Sequence, residues 1–232
     1  MRSNNSVLRW CLLATAIVFT IIKIYLTDAQ GLIAFAQHIH DDALFVNLAN
    51  AILSGHWLGD YDQYTLIKGP FYPLWIALCN VVNLPLTYSH QLLYIISCAW
   101  AVYALRPLLK GHTIWQFAFY SVLLFNPISY QFDVFPRVIR DGIYTPLTLM
   151  LVGFCFGLLL RINTSKTQAI LWSLGYGLCL SAFWLTREEG IWILPLLLPM
   201  MAYTIWKCIG QSNPVQRIII ALNPIFIVIL AI

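Results

Sequence analysis

The chain has 232 residues, of which 60% are hydrophobic and only 9% charged. With a mean hydropathy of +0.77, that balance excludes a soluble globular domain. The net charge of +4 is small, and no basic patch of the kind that binds nucleic acid occurs.

The alternating ten-residue segments of a membrane barrel are absent, which leaves an all-α polytopic membrane protein. Arg2 and Arg9 precede an apolar run to Leu26. That run is long for a signal-peptide core and lacks a small-x-small cleavage site, so it reads as an uncleaved signal anchor. A crossing needs about 20 mostly apolar residues. Candidate spans lie at 10–27, 90–105, 113–130, 143–160, 168–186, 191–206 and 218–232. The expectation is about seven transmembrane helices in one domain, 1–232, with juxtamembrane helices in the first outer loop. The chain stops inside an apolar run, as a truncated or divergent version of something longer would.

The first outer loop, 28–70, is the one long polar region. In it Phe45, Leu48, Ala49, Ile52 and Leu53 recur at helical spacing. They predict a helix over 43–53 that ends near Gly55 and lies in the interface plane. Trp57, Tyr61, Tyr64, Tyr72 and Trp75 suit interfacial anchoring. The segment 71–86 has about 16 residues, or roughly 24 Å as a helix, which is short for a span. Charge decides its placement. If 71–86 does not cross, Arg2, Arg9, Arg106, Lys110, Arg161, Lys166, Lys207 and Arg217 fall on one side, the cytoplasmic one by the positive-inside rule. Asp28, Asp41, Asp42, Asp60, Asp62, Asp133, Asp141, Glu188 and Glu189 then all fall on the other. The N-terminus is accordingly read as cytoplasmic, in a bacterial inner membrane.

Four polar clusters stand on the acidic side. Asp41 and Asp42 lead the loop helix. Either is a good N-cap, but adjacent helical side chains point about 100° apart, so one can cap while the other faces a cavity. Neighbouring carboxylates also repel, which suits one of them to act as a general base. Lys68-Gly69-Pro70 reads either as a snorkelling lysine before a helix start or as a phosphate holder beside a close backbone approach. Arg137 and Arg140, three apart, share a face if helical, and Asp141 is a candidate N-cap. Arg187-Glu188-Glu189-Gly190 reads as a polar turn between two spans. Yet Arg137, Arg140 and Arg187 run against the positive-inside trend, and arginine forks suit phosphate oxygens. His38, His40 and His56 leave a divalent metal open, though their spacing is not a compact ligand set. The six cysteines read as buried small hydrophobes. No Walker loop, dinucleotide-binding glycine pattern, nucleophile elbow or HExxH occurs.

The order of one span, two adjacent acids, an interfacial helix, then Lys68-Gly69-Pro70 and an apolar run opening on Tyr72-Pro73 resembles the GT-C superfamily of membrane glycosyltransferases. The likeness is greatest to the protein O-mannosyltransferase and aminoarabinose-transferase branch. Asp41-Asp42 stands where that branch carries Asp-Glu, Lys68-Gly69-Pro70 where it carries Lys-Pro-Pro, and Asp141 where it carries a later Asp. Asn126-Pro127 before the later loop also fits. The resemblance implies a polyprenyl-phosphate-linked sugar donor and a lipid, glycan or protein acceptor on the outer side. It implies Asp41 as the main catalytic residue with Asp42 beside it. Lys68, Arg137, Arg140, Asp141, Arg187 and Glu188 are the candidate substrate- and phosphate-binding residues. A transporter or lipid flippase, marked by ionisable residues within spans, and a non-catalytic scaffold are the competing readings. Lys23 is the one ionisable candidate within a span, and its place near the end of the first counts against transport.

Overall fold

The computed structural model describes residues 2–32, 42–59, 68–109, 112–131, 134–209 and 213–231, without the side chains of 2–5 and 188–189. Asp41, His38, His40, Asp60, Tyr61, Asp62, Tyr64, Lys110 and Asp133, all weighed above, lie outside the described residues. Among those described are nine α-helices and no strand. They are α1 (Arg2–Asp28), α2 (Asp42–Leu53), α3 (Phe71–Val81), α4 (Leu86–Leu105), α5 (Thr113–Leu124), α6 (Asp141–Arg161), α7 (Lys166–Trp184), α8 (Leu194–Ile209) and α9 (Pro214–Ala231). Two 3-10 turns, Pro127–Tyr130 and Glu188–Ile193, follow α5 and precede α8.

Side-chain bonds show that the long helices run alternately between two ends of a bundle. Tyr88, at the start of α4, donates to Asp28 at the end of α1 (2.6 Å). At the far end of α4, the Arg161 guanidinium closing α6 donates to the carbonyls of Ala104 (2.8 Å) and Tyr103 (2.9 Å). Lys207, near the end of α8, donates to the Leu159 carbonyl (3.2 Å), and Arg217, near the start of α9, donates to the Ile162 carbonyl. Arg9, Arg106, Arg161, Lys166, Lys207 and Arg217 therefore share one end. Asp28, Asp42, Asp141 and the backbone of Glu188 and Glu189 share the other.

Among the described residues four helices are long and apolar enough to cross a membrane: Ser6–Asp28, Asp141–Arg161, Gly190–Ile209 and Pro214–Ala231. The other expected spans differ for physical reasons. α4 and α7 have the length, but Ser89, His90 and Gln91 in one and Lys166, Thr167 and Gln168 in the other dilute their apolar character. α5 has 12 residues, about 18 Å, and the 3-10 turn completes its course.

α2 follows the predicted stripe. Phe45, Leu48 and Ala49 are buried and Leu53 is exposed. Gly55 has φ +82°, with Gly55 N–H bonded to the Ile52 carbonyl and His56 N–H to that of Ala51. This paired C-terminal cap needs a left-handed residue, which glycine adopts without penalty. α3 spans 11 residues, about 16 Å, too short to cross, and packs against α2. It stops short of the expected boundary because Asn83 turns the chain at φ +55° and Pro85 precedes α4.

The core lies where α4 packs on α6, α6 on α7 and α7 on α9. Ile143, Leu151, Leu158, Trp172, Tyr176 and Phe183 fill it. Small residues let these helices approach: a Cβ at Gly157 would collide with Trp172, and one at Gly177 with Ile227. Without a hydrophobic drive between helices in lipid, such close packing is what associates them. Five of the six cysteines are buried; Cys11 is exposed, and all are free thiols.

Candidate functional site

The acidic end of the bundle gathers the chain's scattered polar clusters. Asp42 opens α2 and is 1% exposed. Both of its oxygens face one guanidinium: Arg137 Nε donates to Oδ2 at 3.2 Å and Nη2 lies 3.2 Å from Oδ1. One charge-assisted hydrogen bond, through Nε, joins the pair, and the Nη2 contact adds attraction without a second bond, which leaves the buried Oδ1 without a hydrogen bond among the described residues. Burial on one side and the charge on the other require each other, because an unpaired buried carboxylate is costly.

A second pair stands nearby in the chain. Arg187 Nη1 donates to Asp141 Oδ1 at 2.7 Å. Asp141 is the first residue of α6, where the helix dipole favours a negative charge. Arg187 is extended (φ −152°, ψ 126°), directly before the Glu188–Ile193 turn. Its guanidinium lies 5.5 Å from the Tyr144 ring, which stacks on Phe183 at 4.5 Å. Both pairs are of mixed exposure, with Arg137 at 23%, Arg187 at 28% and Asp141 at 37%.

The Lys68-Gly69-Pro70 turn closes on the same place. Phe71 N–H bonds to the Leu185 carbonyl at 3.1 Å, two residues before Arg187. A Cβ at position 69 would overlap that carbonyl, so the glycine is what lets the turn meet the end of α7. Lys68 is half-buried, with Nζ 5.8 Å from the Phe45 ring.

Tyr72 lies within electrostatic reach of the carboxylates of both pairs. It is fully buried, so it does not anchor at an interface as its sequence position suggested. Burial first, then the charges of Asp42 and Asp141, push its phenol well above the ordinary range. Phe45 meets it edge-on at 4.9 Å, and His90 stacks at 5.9 Å. His90 Nδ1 lies 3.0 Å from the Phe135 carbonyl. That carbonyl only accepts, so Nδ1 carries the proton and Nε2 faces the Tyr72 hydroxyl at 3.5 Å as an acceptor. Gly142, next to Asp141, sits directly on the His90 ring. His90 thus supports both the segment bearing Arg137 and the start of α6.

The segment before α6 is irregular between 134 and 140 rather than helical, so Arg137 and Arg140 do not share a helix face. Arg137 reaches Asp42, while Arg140 occupies the N-cap position of α6 without a side-chain cap bond. Asp141 sits inside the helix and pairs with Arg187 instead of capping. Asp41 and the Glu188 side chain lie outside what is described. Among the described residues, no three His, Cys, Asp or Glu side chains gather as a metal site; His56 is exposed.

Sequence reasoning passed over His90 and underrated Lys23. Lys23 is fully buried although only 6% of the α1 span is. Its ammonium donates to Ser129 Oγ (2.7 Å) and to the Ser129 carbonyl (3.3 Å), and lies 3.3 Å from the centre of the Tyr130 ring. Gln91 Nε2 donates to the same carbonyl at 2.8 Å. The signal for both was present: a polar residue within an apolar run tends to face the bundle interior.

No family model, no curated protein and no solved structure matches the chain.

Proposed function

We propose that the chain is an integral-membrane glycosyltransferase. It moves a sugar from a polyprenyl-phosphate-linked donor to a lipid, glycan or protein acceptor on the extracytoplasmic side. The observation that carries this reading is that Asp42–Arg137 and Asp141–Arg187 stand at one end of the bundle, both carboxylates within electrostatic reach of Tyr72, with Lys68 against Phe45. Four segments far apart in sequence meet at one end of an apolar bundle, as a charged, lipid-linked substrate requires. The alternating course of α1, α4, α5, α6, α7, α8 and α9 supports seven crossings, with α2 and α3 at the membrane surface. The basic opposite end supports a cytoplasmic N-terminus, in a bacterial inner membrane.

The residues divide the chemistry among them. A base takes the proton from the acceptor hydroxyl or amine as its oxygen or nitrogen bonds to the anomeric carbon. The bond from that carbon to the phosphate oxygen breaks, and the electron pair leaves with the polyprenyl phosphate. Asp42 is committed to Arg137, which leaves Asp41 as the base and gives Asp42 the task of fixing the guanidinium. Arg137, Arg187, Arg140 and Lys68 stabilise the departing phosphate, since fixed positive groups aimed at developing charge lower the barrier. Asp141 orients Arg187, and Glu188 is kept as a candidate substrate-binding residue.

The test is transfer of radiolabelled sugar from polyprenyl-phosphate donors in membranes. Wild type transfers, and Asp41→Asn at equal protein level does not. Wild-type rates in both Asp41→Asn and Asp42→Asn would sink the reading. Lys23 gives the transporter alternative one specific foothold, a buried ammonium in a candidate span. Substrate uptake into proteoliposomes without any transfer would favour that alternative.

A further inference from the structure

The basic end of the bundle holds a cleft that the transfer chemistry does not use. It lies between the starts of α7 and α9 and encloses about 690 Å³, with a recess of about 190 Å³ continuing from it. Lys166, Asn213, Gln216 and Arg217 supply its polar rim, and Ile170 and Ile219 belong to its apolar wall. Lys166 is exposed, and no side-chain bond to another described residue ties its ammonium down. Arg217 is held at the recess by its bond to the Ile162 carbonyl. Among the described residues, no acid lies at this end to compensate either charge. The positive ends of two helix dipoles, α7 and α9, add to the same field.

This combination has one natural occupant. Two cations over an apolar wall, between helices at a membrane surface, match a phosphate headgroup whose acyl chains continue along the hydrophobic helix faces. Ile219 is 59% exposed and Val215, at the start of α9, 70%, so the wall is open to chains arriving from the bilayer. We propose that this cleft is a binding site for an anionic glycerophospholipid of the surrounding leaflet, gripped through its phosphate by Lys166 and Arg217. The site stands on charge and shape at the end away from Asp42 and Asp141, so it holds whether or not the chain transfers sugar.

The experiment is native mass spectrometry of the full chain in mild detergent, titrated with phosphatidylglycerol or phosphatidylcholine. Wild type retains phosphatidylglycerol in preference. Lys166→Gln, which breaks no bond among the described residues, weakens that retention about fivefold. Arg106→Gln, an exposed cation at the same end outside the cleft, leaves it unchanged. Equal retention by wild type and Lys166→Gln would overturn the proposal, as would an equal loss in Arg106→Gln, which would reduce the effect to general surface charge. Displacement of phosphatidylglycerol by inorganic phosphate at equal concentration would also overturn it, since the occupant would then be a free anion.

Discussion

Arg187 Nη1 meets Asp141 Oδ1 at 2.7 Å, joining residues 46 positions apart. The contact fixes the end of α7 to the start of α6, so the guanidinium that faces the acidic end is held by a carboxylate on a neighbouring helix. Both side chains are partly open to solvent, and screening makes such a pair worth about 1 kcal/mol or less. Arg187→Gln is therefore expected to unfold within a few degrees of wild type while losing at least about tenfold in sugar transfer. Thermal unfolding and transfer rates on the same preparation check this. A matched loss of both would make the pair structural.

Gly142 presses on His90, which is fully buried and cannot swing away. Gly142→Ala places a methyl group against the ring and costs about 1–3 kcal/mol of stability through overpacking. Restored stability in Gly142→Ala combined with His90→Ala, read by thermal unfolding, would show that the ring is the obstacle.

Tyr72 separates into two roles by substitution. Among the described residues its hydroxyl has one long contact, 3.5 Å to His90, so Tyr72→Phe should change stability by less than about 1 kcal/mol. Tyr72→Ala empties a site walled by Phe45 and His90 and should cost about 3–5 kcal/mol. A large loss in Tyr72→Phe would mean that the hydroxyl, not the ring, holds the helices.

Lys23 carries the opposite expectation from most buried polar residues. Among the described residues its charge has no carboxylate partner, and desolvating an ammonium is expensive. Ser129 keeps other partners without it, since Oγ also donates to the Asn126 carbonyl (2.7 Å) and the Ser129 carbonyl also accepts from Gln91. Lys23→Met should melt no lower than wild type. A fall of several degrees would show that the ammonium contributes net stability to the bundle.

The stripe of Phe45, Leu48 and Ala49 with Gly55 was legible because helix period and capping are local properties. The shortness of α3 was also legible, from its length and prolines. The order of charge along the chain pointed to the two ends that the helix courses then produced. Less visible were the partners. Lys23 and Ser129 lie 106 residues apart and Arg137 and Asp42 95, and no local pattern encodes such pairs. Arg137 and Arg140 invited a helical reading by their spacing, yet the backbone there is irregular and each side chain goes its own way. α4 looked like a span starting at His90, whereas the helix begins at Leu86 and its first polar turns face Phe135 and Ser129.

The most direct measurement is the affinity of polyprenyl phosphate, the proposed leaving group, for wild type and for Arg137→Gln with Arg187→Gln. If these two guanidiniums hold the lipid-linked phosphate, the double variant binds at least about a hundredfold more weakly and Arg106→Gln binds as wild type does. Equal affinity in the double variant would contradict the account and remove the phosphate from this end of the bundle.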